Sequence, residues 1–415
     1  MKKQKMRTSF YLSALLLNLA ILCTGCTGEK KQFIRSTSQF AAEQTRKMLG
    51  TVGAPTGKNS PRTMNKEGGL QTTGIRDWTS GFFPGSLWYI YELTGDAYWK
   101  EQAEIWTASQ EPLKTYTGNH DIGFMMYCSY GNANRLDPHD EYKALLVESA
   151  NSLMSRYNDT LGVIKSWNGG SDWNRTVRWQ YPVIIDNMMN LELLFYASKV
   201  TGDPQYYNAA VKHADNTLKN HIREDFTSYH VVDYDTLTGE VAGRYTAQGY
   251  SDNSTWARGQ AWAVYGYTLM YRETKDSAYL KAAVKLADTF IRNLPEDLVP
   301  FWDFNVGEEG YTPGEKSYAV TFPEKLKDAS AAAIVCSALF ELGEYVPAKG
   351  YIDTGIRMLH SLASPAYLAP LGENAGFLIM HCVGSIPHRS EIDVPLVYAD
   401  YYFLEALTRY NRLKI

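Results

Sequence analysis

One pattern recurs along this chain and restricts the folds that are open to it. An apolar helical stretch ends at a Gly or at a polar residue that can terminate a helix, and an amphipathic helical stretch follows. In three copies an Asp comes directly after the stop, at Asp96, Asp203 and Asp276, and a weaker fourth copy ends at Gly343. Glycine is a frequent helix terminator and Asp a good cap for the next helix, so each copy predicts a helical hairpin.

The hairpins predict a closed ring of helices. Stretches 207–219 and 279–291 place apolar residues at i, i+3, i+4 and i+7, so each has one face to bury. Single hairpins cannot bury such faces alone and have to stack. No polar linker interrupts the roughly 340 residues after Gly74. We therefore predict an all-α (α/α)6 barrel, with an open α-solenoid as the alternative. The extended stretch 229–242 predicts a small β-hairpin over one end.

The N-terminus has the pattern of a bacterial export signal. The first seven residues include four Lys or Arg, and the apolar stretch 10–23 is too short for a comfortable membrane span. Leu22-Cys23-Thr24-Gly25-Cys26 resembles a lipobox, with Cys23 where Leu is usual. We predict a lipoprotein signal peptide at 1–25 and a periplasmic or lipid-anchored protein whose membrane contact is an anchor on Cys26. Ordinary cleavage, giving a soluble periplasmic protein, is the alternative.

The mature chain divides into two predicted parts. Segment 26–74 is polar, has one helical stretch near 40–49, and is rich in Gly, Pro, Asn, Lys and Thr over 51–69. It predicts an N-terminal linker and entry helix. The barrel is predicted to cover 75–415 and to carry the catalytic function.

Composition narrows the functional classes. Hydrophobic residues make up 45% and charged residues 21%, which is typical of a large folded core. The net charge of −4 and the lack of a basic block argue against nucleic-acid binding. The cysteines after the leader are widely spaced in apolar surroundings, which predicts buried free thiols and no metal site; they are Cys128, Cys336 and Cys382.

Two carboxylates stand in apolar surroundings. Asp186 follows the run Val183-Ile184-Ile185, and Asp121 lies in His120-Asp121-Ile122-Gly123-Phe124. If these runs pack inward, poor solvation raises the pKa of both side chains, which suits a proton donor. Considered alone, however, an Asp at a helix start is more often a cap.

Aromatic and amide residues near these acids indicate carbohydrate binding. The stretches 77–85, 166–168 and 248–262 combine Trp, Phe, Asn and Gln, which stack on sugar rings and bond hydroxyl groups. Arg258, flanked by two Trp, either pairs with an internal Asp or binds a substrate carboxylate. His230 in isolation is more often a partner of backbone groups than a ligand-binding residue.

Several collinear motifs together resemble the unsaturated glucuronyl hydrolases of glycoside hydrolase family 88. The resemblance runs from about residue 76 to residue 410. The matching motifs are Asp-Trp-Thr-Ser-Gly-Phe-Phe-Pro-Gly at 77–85, His-Asp-Ile-Gly-Phe at 120–124, Ile-Ile-Asp-Asn-Met-Met-Asn at 184–190, His-Val-Val-Asp-Tyr-Asp at 230–235, Trp-Ala-Arg-Gly-Gln-Ala-Trp at 256–262 and Leu-Pro-Glu-Asp at 294–297. The chain has Lys327 and Ala329 where the family pattern has Arg and Ser.

The resemblance implies an (α/α)6 barrel that acts on the products of polysaccharide lyases. These products carry a 4-deoxy-uronate with a C4=C5 double bond at the non-reducing end, and the family releases this sugar by hydrating the double bond. Asp186 matches the general acid that protonates C4 and then helps to activate water. Asp121 matches the second essential carboxylate. Ordinary glycoside hydrolysis would instead place an acid and a nucleophile or base about the scissile bond.

The resemblance also implies the remaining site residues and the partners. The matching pocket residues are His230, Gln248, Arg258, Trp262, Trp78 and Trp167, and the family needs no metal or organic cofactor. The expected substrate is an unsaturated uronyl di- or oligosaccharide of the chondroitin, hyaluronan or heparan type. An unsaturated rhamnogalacturonyl hydrolase and a non-catalytic oligosaccharide-binding lipoprotein are the alternatives.

Overall fold

The computed structural model describes residues 28–414, which are mainly helical. The helices are α1 (28–52), α2 (Phe82–Thr94), α3 (Ala97–Ala108), α4 (Ile122–Met126), α5 (Asn132–Leu136), α6 (Asp140–Met154), α7 (Leu191–Thr201), α8 (Pro204–His221), α9 (Ala257–Thr274), α10 (Ser277–Arg292), α11 (Ala329–Tyr345), α12 (Tyr351–Leu362) and α13 (Val397–Arg412). A π-helical turn, Tyr127–Gly131, joins α4 to α5. The predicted signal peptide 1–25 and Cys26 lie outside the described residues.

The helices form two concentric rings. The inner ring consists of α2, the α4–α5 segment, α7 with its preceding turn, α9, α11 and α13, and α13 packs back against α2. Helices α3, α6, α8, α10 and α12 pack outside them, and α1 lies beside α12 and α13 through Phe33, whose ring contacts His360 and Tyr410. The ring is closed, so the (α/α)6 barrel is confirmed and the open solenoid is wrong.

The repeated Asp residues cap the outer helices as predicted. The side chains of Asp96, Asp203 and Asp276 accept backbone N–H bonds at 3.0, 2.9 and 2.8 Å at the starts of α3, α8 and α10. Two of the preceding inner helices end at glycines in the left-handed conformation, and α9 ends at Lys275 with φ 59°. A residue with positive φ directs the chain out of one helix and toward the next cap.

Short antiparallel strands lie in the connections. They are β1 (Ser60–Met64) with β2 (Leu70–Thr73), β3 (Tyr157–Asn158) with β4 (Val163–Ile164), β5 (Pro182–Ile184) with β6 (Val231–Tyr234) and β7 (Val241–Tyr245), and β8 (Cys382–Ser385) with β9 (Ser390–Val394). The hairpin predicted at 229–242 is present as β6–β7, and β5 adds a third strand to it. The other hairpins were not predicted, because strands of two to five residues carry little periodicity.

Helix α1 is longer than the stretch predicted near 40–49. Ile34, Ala41 and Met48 are buried in the same core as the barrel helices. The Gln44 amide donates to the backbone oxygens of Glu373 and Phe377, at 2.8 and 3.1 Å. This helix therefore packs against α12, α13 and the connection between them, while the domain bounds proposed above stay predictions.

Candidate active site

The candidate site lies at the end of the barrel where the inner helices begin. Alternate helices of a chain of hairpins run in the same direction, so the starts of the inner helices meet at one end. A cavity of about 660 Å³ opens there. It is lined by Arg62, Trp78, Trp167, Gly170, Ser171, Asp172, Trp173, Arg175, Trp179, Ala247, Gln248, Gly384, Ser385, His388, Ser390, Glu391 and Tyr398.

Asp186 is a buried carboxyl that does not cap a helix. It lies in the 3-10 turn Ile185–Asn190 between β5 and α7, is 7% exposed, and neither element has a side-chain capping bond at its start. Burial raises its pKa from 3.8 to about 7, an effect that Arg258 and the Trp262 indole partly oppose. Its Oδ2 has no hydrogen-bond partner among residues 28–414. A carboxyl with this pKa can donate a proton near neutral pH.

Asp121 is a second buried carboxyl that affects the first. It directly precedes α4, is 8% exposed and makes no capping bond. Burial raises its pKa well above 3.8, the charges of Asp186 and Asp77 raise it further, and Arg156 lowers it. The Asp186 charge contributes to this shift, so the two acids interact electrostatically.

His230 presents a fixed N–H donor beside Asp186. Its Nδ1 accepts the backbone N–H groups of Ala247 and Gln248, each at 3.1 Å. A backbone N–H only donates, so Nδ1 carries no proton and Nε2 carries one. Burial holds the pKa of His230 well below 6.5, and Nε2 is 3.9 Å from Asp186 Oδ2. The backbone thus satisfies one nitrogen only, and the other faces the acid.

Arg258 pairs with an internal Asp, which is one of the two alternatives that the sequence left open. It is fully buried; Nη1 donates to Asp328 at 2.8 Å and to the Val383 oxygen at 2.5 Å, and Nη2 donates to the Gly384 oxygen at 2.6 Å. Its charge lowers the pKa of Asp186. The guanidinium therefore joins the β8 strand to α9 and α11, and direct binding of a substrate carboxylate stays a prediction.

The other predicted residues divide between the cavity wall and the core beneath it. Trp78, Trp167 and Gln248 line the cavity, and the Gln248 amide donates to the Gly384 oxygen at 3.1 Å. Trp167 stacks on Trp179, with ring centroids 6.0 Å apart, and meets the His230 ring edge-on at 6.2 Å. Trp262 is fully buried.

Part of the cavity wall was not singled out in the sequence. These residues include Arg62, Trp173, Trp179, Ser385, His388, Glu391 and Tyr398. The three Trp within residues 167–179 could have predicted that this segment lines a sugar-binding cavity. Arg62, which pairs with Asp77 and Glu391, and the β8–β9 hairpin reach the site from distant parts of the chain and carry no local signal.

No metal site is evident in the described part of the chain. Residues 28–414 contain no group of three or more His, Cys, Asp or Glu side chains that could hold a metal ion. The three cysteines in this range, Cys128, Cys336 and Cys382, are free and buried, as predicted. None of the helices over the same residues is long and apolar enough to cross a membrane.

Comparison with known proteins identifies close relatives. Residues 56–294 match the family model of Glycosyl Hydrolase Family 88. An unsaturated glucuronyl hydrolase of Formosa agariphila is 45% identical over 98% of this chain and 99% of its own length. An unsaturated chondroitin disaccharide hydrolase of Streptococcus pyogenes serotype M1 is 32% identical, over 81% of this chain and 82% of the relative.

Solved structures share the whole barrel. The crystal structure of an unsaturated glucuronyl hydrolase specific for heparin superposes with a TM-score of 0.83 and 42% identity, covering 92% of this chain and 98% of that chain. The enzyme from Bacillus sp. GL1, described as responsible for the degradation of glycosaminoglycan, has a TM-score of 0.79 and 30% identity, covering 90% of this chain and 95% of that chain.

Proposed function

The chain belongs to glycosyl hydrolase family 88, and on that premise we propose that it is an unsaturated glucuronyl hydrolase. Its reaction releases 4,5-unsaturated glucuronic acid from the non-reducing end of lyase-made glycosaminoglycan oligosaccharides. The observation that carries this proposal is the environment of Asp186. Its carboxyl is buried, makes no helix-capping bond, has a pKa of about 7 and lies beside a tryptophan-lined cavity. A general acid needs its proton near the working pH, and this environment retains it.

The proposed reaction begins with proton transfer to carbon. Asp186 gives its proton to C4 of the unsaturated ring, the double-bond electrons form the new C–H bond, and positive charge develops at C5 and the ring oxygen. Water then adds at C5 and returns a proton to the Asp186 carboxylate. The hemiketal formed in this way opens, and the glycosidic bond breaks as a consequence. Asp186 ends the cycle protonated, so acid and base are the same residue.

The neighbouring side chains have proposed roles in binding and orientation. Asp121 accepts hydrogen bonds from ring hydroxyl groups, and the Nε2–H of His230 donates to substrate or water next to Asp186 Oδ2. Trp78 and Trp167 offer aromatic faces to the sugars. Arg258 keeps the Asp186 carboxylate from becoming too basic to release its proton, since its charge opposes the effect of burial.

One assay tests the function against both alternatives. Loss of the ultraviolet absorbance of the C4=C5 bond is followed with purified protein and lyase-made disaccharides. Loss with chondroitin, hyaluronan or heparan products supports the proposal, loss with pectin products alone supports a rhamnogalacturonyl hydrolase, and binding without loss supports a non-catalytic protein. Asp186→Asn is expected to abolish the loss, because the amide has no acidic proton to give; retained activity contradicts the assigned role.

We also propose that the protein is exported and anchored by lipid on Cys26. The charged start, the short apolar stretch and the lipobox-like sequence support this proposal. Membrane and soluble fractions of cells that produce the unmodified protein and Cys26→Ser provide the test. Loss of the protein from the membrane fraction in the variant is expected, while an unchanged distribution argues for ordinary cleavage.

A further inference from the structure

Helix α1 begins at the far end of the barrel, which is the end opposite the cavity, where the inner helices finish. The Nζ group of Lys30 donates to the backbone oxygen of Leu413 at 2.5 Å and lies 4.9 Å from the centroid of the Tyr410 ring. Both partners stand at the end of α13, whose first turn reaches the cavity through Tyr398. The start of α1 is therefore separated from the cavity by the depth of the barrel.

The lengths of two helices give the size of this separation. Helix α1 runs from the far end toward the mouth, because Arg62, soon after its end at residue 52, already lines the cavity. At a rise of about 1.5 Å per residue, α1 is about 36 Å long and α13, with 16 residues, about 24 Å. The mouth and the start of α1 are thus about 25–35 Å apart.

The proposed lipidation residue is very near the start of α1 in the sequence. Cys26 precedes Gly28 by two residues, and Gly28 already belongs to the helix. Two residues span at most about 7 Å. A lipid on Cys26 therefore holds the start of α1 close to the headgroups, and this tether is too short to let the barrel turn over and bring its mouth to the membrane.

The surface around the start of α1 suits anionic headgroups. Lys31 and Arg35 on α1, and Lys414 after α13, are exposed, and residues 28–36 contain a single acid, Glu29. Basic side chains beside a lipid anchor are attracted to anionic lipids within about one Debye length, which is about 8 Å at physiological salt. The capping aspartates of the outer helices also lie at the far end, so this attraction is local to the start of α1.

We propose that the short tether at Cys26 seats the far end of the barrel on the membrane and directs the mouth of the catalytic cavity away from the lipid surface. This orientation rests on the lipid anchor proposed above. The mouth then lies about three to four Debye lengths from the headgroups, so anionic lipids do not repel an anionic uronyl substrate from it.

Two exposed turns at opposite ends of the barrel provide matched labelling sites. Ala348 lies in the 3-10 turn Pro347–Lys349 between α11 and α12, at the far end. Glu309 lies in a loop at the mouth, which Asn253, shortly before α9, joins by donating to the Gly310 oxygen at 3.1 Å. The cysteines of the described chain are buried, so Ala348→Cys and Glu309→Cys each add one accessible thiol.

Energy transfer to the lipid surface measures the orientation. Full-length protein with a donor dye at either site is placed in vesicles of phosphatidylethanolamine and phosphatidylglycerol that carry acceptor dyes on their headgroups. We expect transfer from position 348 to exceed that from position 309 by at least about threefold, because the mouth is about 25–35 Å farther from the lipid. Equal transfer, or greater transfer from position 309, overturns the proposal.

A linker variant tests whether the tether is the cause. A Gly/Ser insert of about 20 residues between Thr27 and Gly28 lengthens the tether to about 25 Å, so we expect the two transfer efficiencies to converge. An unchanged difference overturns the short tether as the source of the orientation. Unchanged activity of the labelled variants on an unsaturated disaccharide verifies that they are folded.

A measurement on the unmodified protein covers the case in which a labelled variant does not fold. Lysine acylation by a membrane-impermeant reagent is compared between the vesicle-bound protein and soluble Cys26→Ser. We expect Lys31 to react at least about threefold more slowly on vesicles, because it lies beside the headgroups. Lys316 follows Glu315, whose backbone N–H donates to Asn174 at 2.8 Å in the loop at the mouth, and is expected to react equally in both. Protection of Lys316 without protection of Lys31 overturns the proposal.

Kinetics on vesicles provides an independent check. At physiological salt, we expect KM for an anionic disaccharide to change less than about twofold when phosphatidylglycerol replaces half of the neutral lipid, because the surface charge is screened at the mouth. A larger rise in KM shows that the mouth faces the membrane and overturns the orientation.

Mass spectrometry of the N-terminal peptide separates the possible failures. A peptide without lipid refutes the anchor and the orientation with it, whereas a lipidated, vesicle-bound protein that gives equal energy transfer refutes the orientation alone. Inactivity on every unsaturated disaccharide refutes the proposed hydrolase, while energy transfer still decides the orientation.

Discussion

Replacing Asp186 with Asn is expected to stabilise the protein while it abolishes activity. The raised pKa means that the folded protein holds a proton on Asp186 that the unfolded chain has already lost at neutral pH. Between the unfolded pKa and the folded pKa the native state binds more protons, so the free energy of unfolding falls as pH rises through this range. Ionising the buried Asp186 costs folding free energy at neutral pH, and Asn avoids this cost because an amide does not ionise.

The size of this gain follows from the shift. The folded pKa is about 7 against a reference of 3.8, a difference of about three units. One unit is worth about 1.4 kcal/mol, so the full cost of ionising Asp186 in the folded protein is about 4 kcal/mol above pH 7. About 4 kcal/mol is an upper bound, because the folded protein relaxes around an ionised buried carboxylate and admits water to it.

The assay is urea unfolding of both proteins at several pH values. The gain of Asp186→Asn over the unmodified protein should be largest near pH 8 and should fall to about 0.6 kcal/mol near pH 4, where the folded protein holds the proton and the unfolded chain has lost it only in part. Asp203→Asn is the matched control: it is a half-buried helix cap, Asn caps equally well, and we expect less than about 0.5 kcal/mol at any pH. A gain that is the same at every pH, or a loss, refutes the reasoning.

Three further predictions concern the surroundings of the acids. Asp328→Asn leaves the buried charge of Arg258 uncompensated, so we expect the free energy of unfolding in urea to fall by about 3 kcal/mol. The stronger positive field should also lower the pKa of Asp186, so we expect the basic limb of the pH–rate profile to move to lower pH. An unchanged profile contradicts the electrostatic interaction between Arg258 and Asp186. Gly123→Ala places a Cβ 2.5 Å from Asn190 Oδ1, so we expect a loss of about 1–3 kcal/mol in thermal unfolding together with lower kcat, and full activity contradicts the close packing of the two acid segments. Trp167→Ala removes an aromatic face of the cavity, so we expect KM to rise about tenfold, with a smaller change in kcat, in steady-state assays; an unchanged KM argues against substrate stacking.

The helical ring could be predicted because its signals are local. Each turn joins a stop such as Gly95 to a cap such as Asp96, and both act through backbone groups within a few residues. The motifs around Asp121 and Asp186 likewise identified the family, since each is a continuous stretch.

Other parts of the site have no local signal. Arg62 and Tyr398 come from opposite ends of the described chain, yet both line the cavity. The Arg258–Asp328 pair joins two inner helices. From the sequence alone, an internal Asp and a substrate carboxylate were equally good partners for Arg258. Such pairs depend on which helix starts meet at the mouth of the ring.

The sequence by itself determined the helical hairpins and the family and predicted the two acids, because short-range backbone chemistry and continuous motifs carry that information. Only the tertiary structure decided that Asp121 and Asp186 do not cap helices, that the His230 proton is on Nε2, and that Arg258 is held by Asp328. The physical reason is burial: a carboxyl changes its pKa and an imidazole its tautomer only when distant segments remove water and supply specific partners.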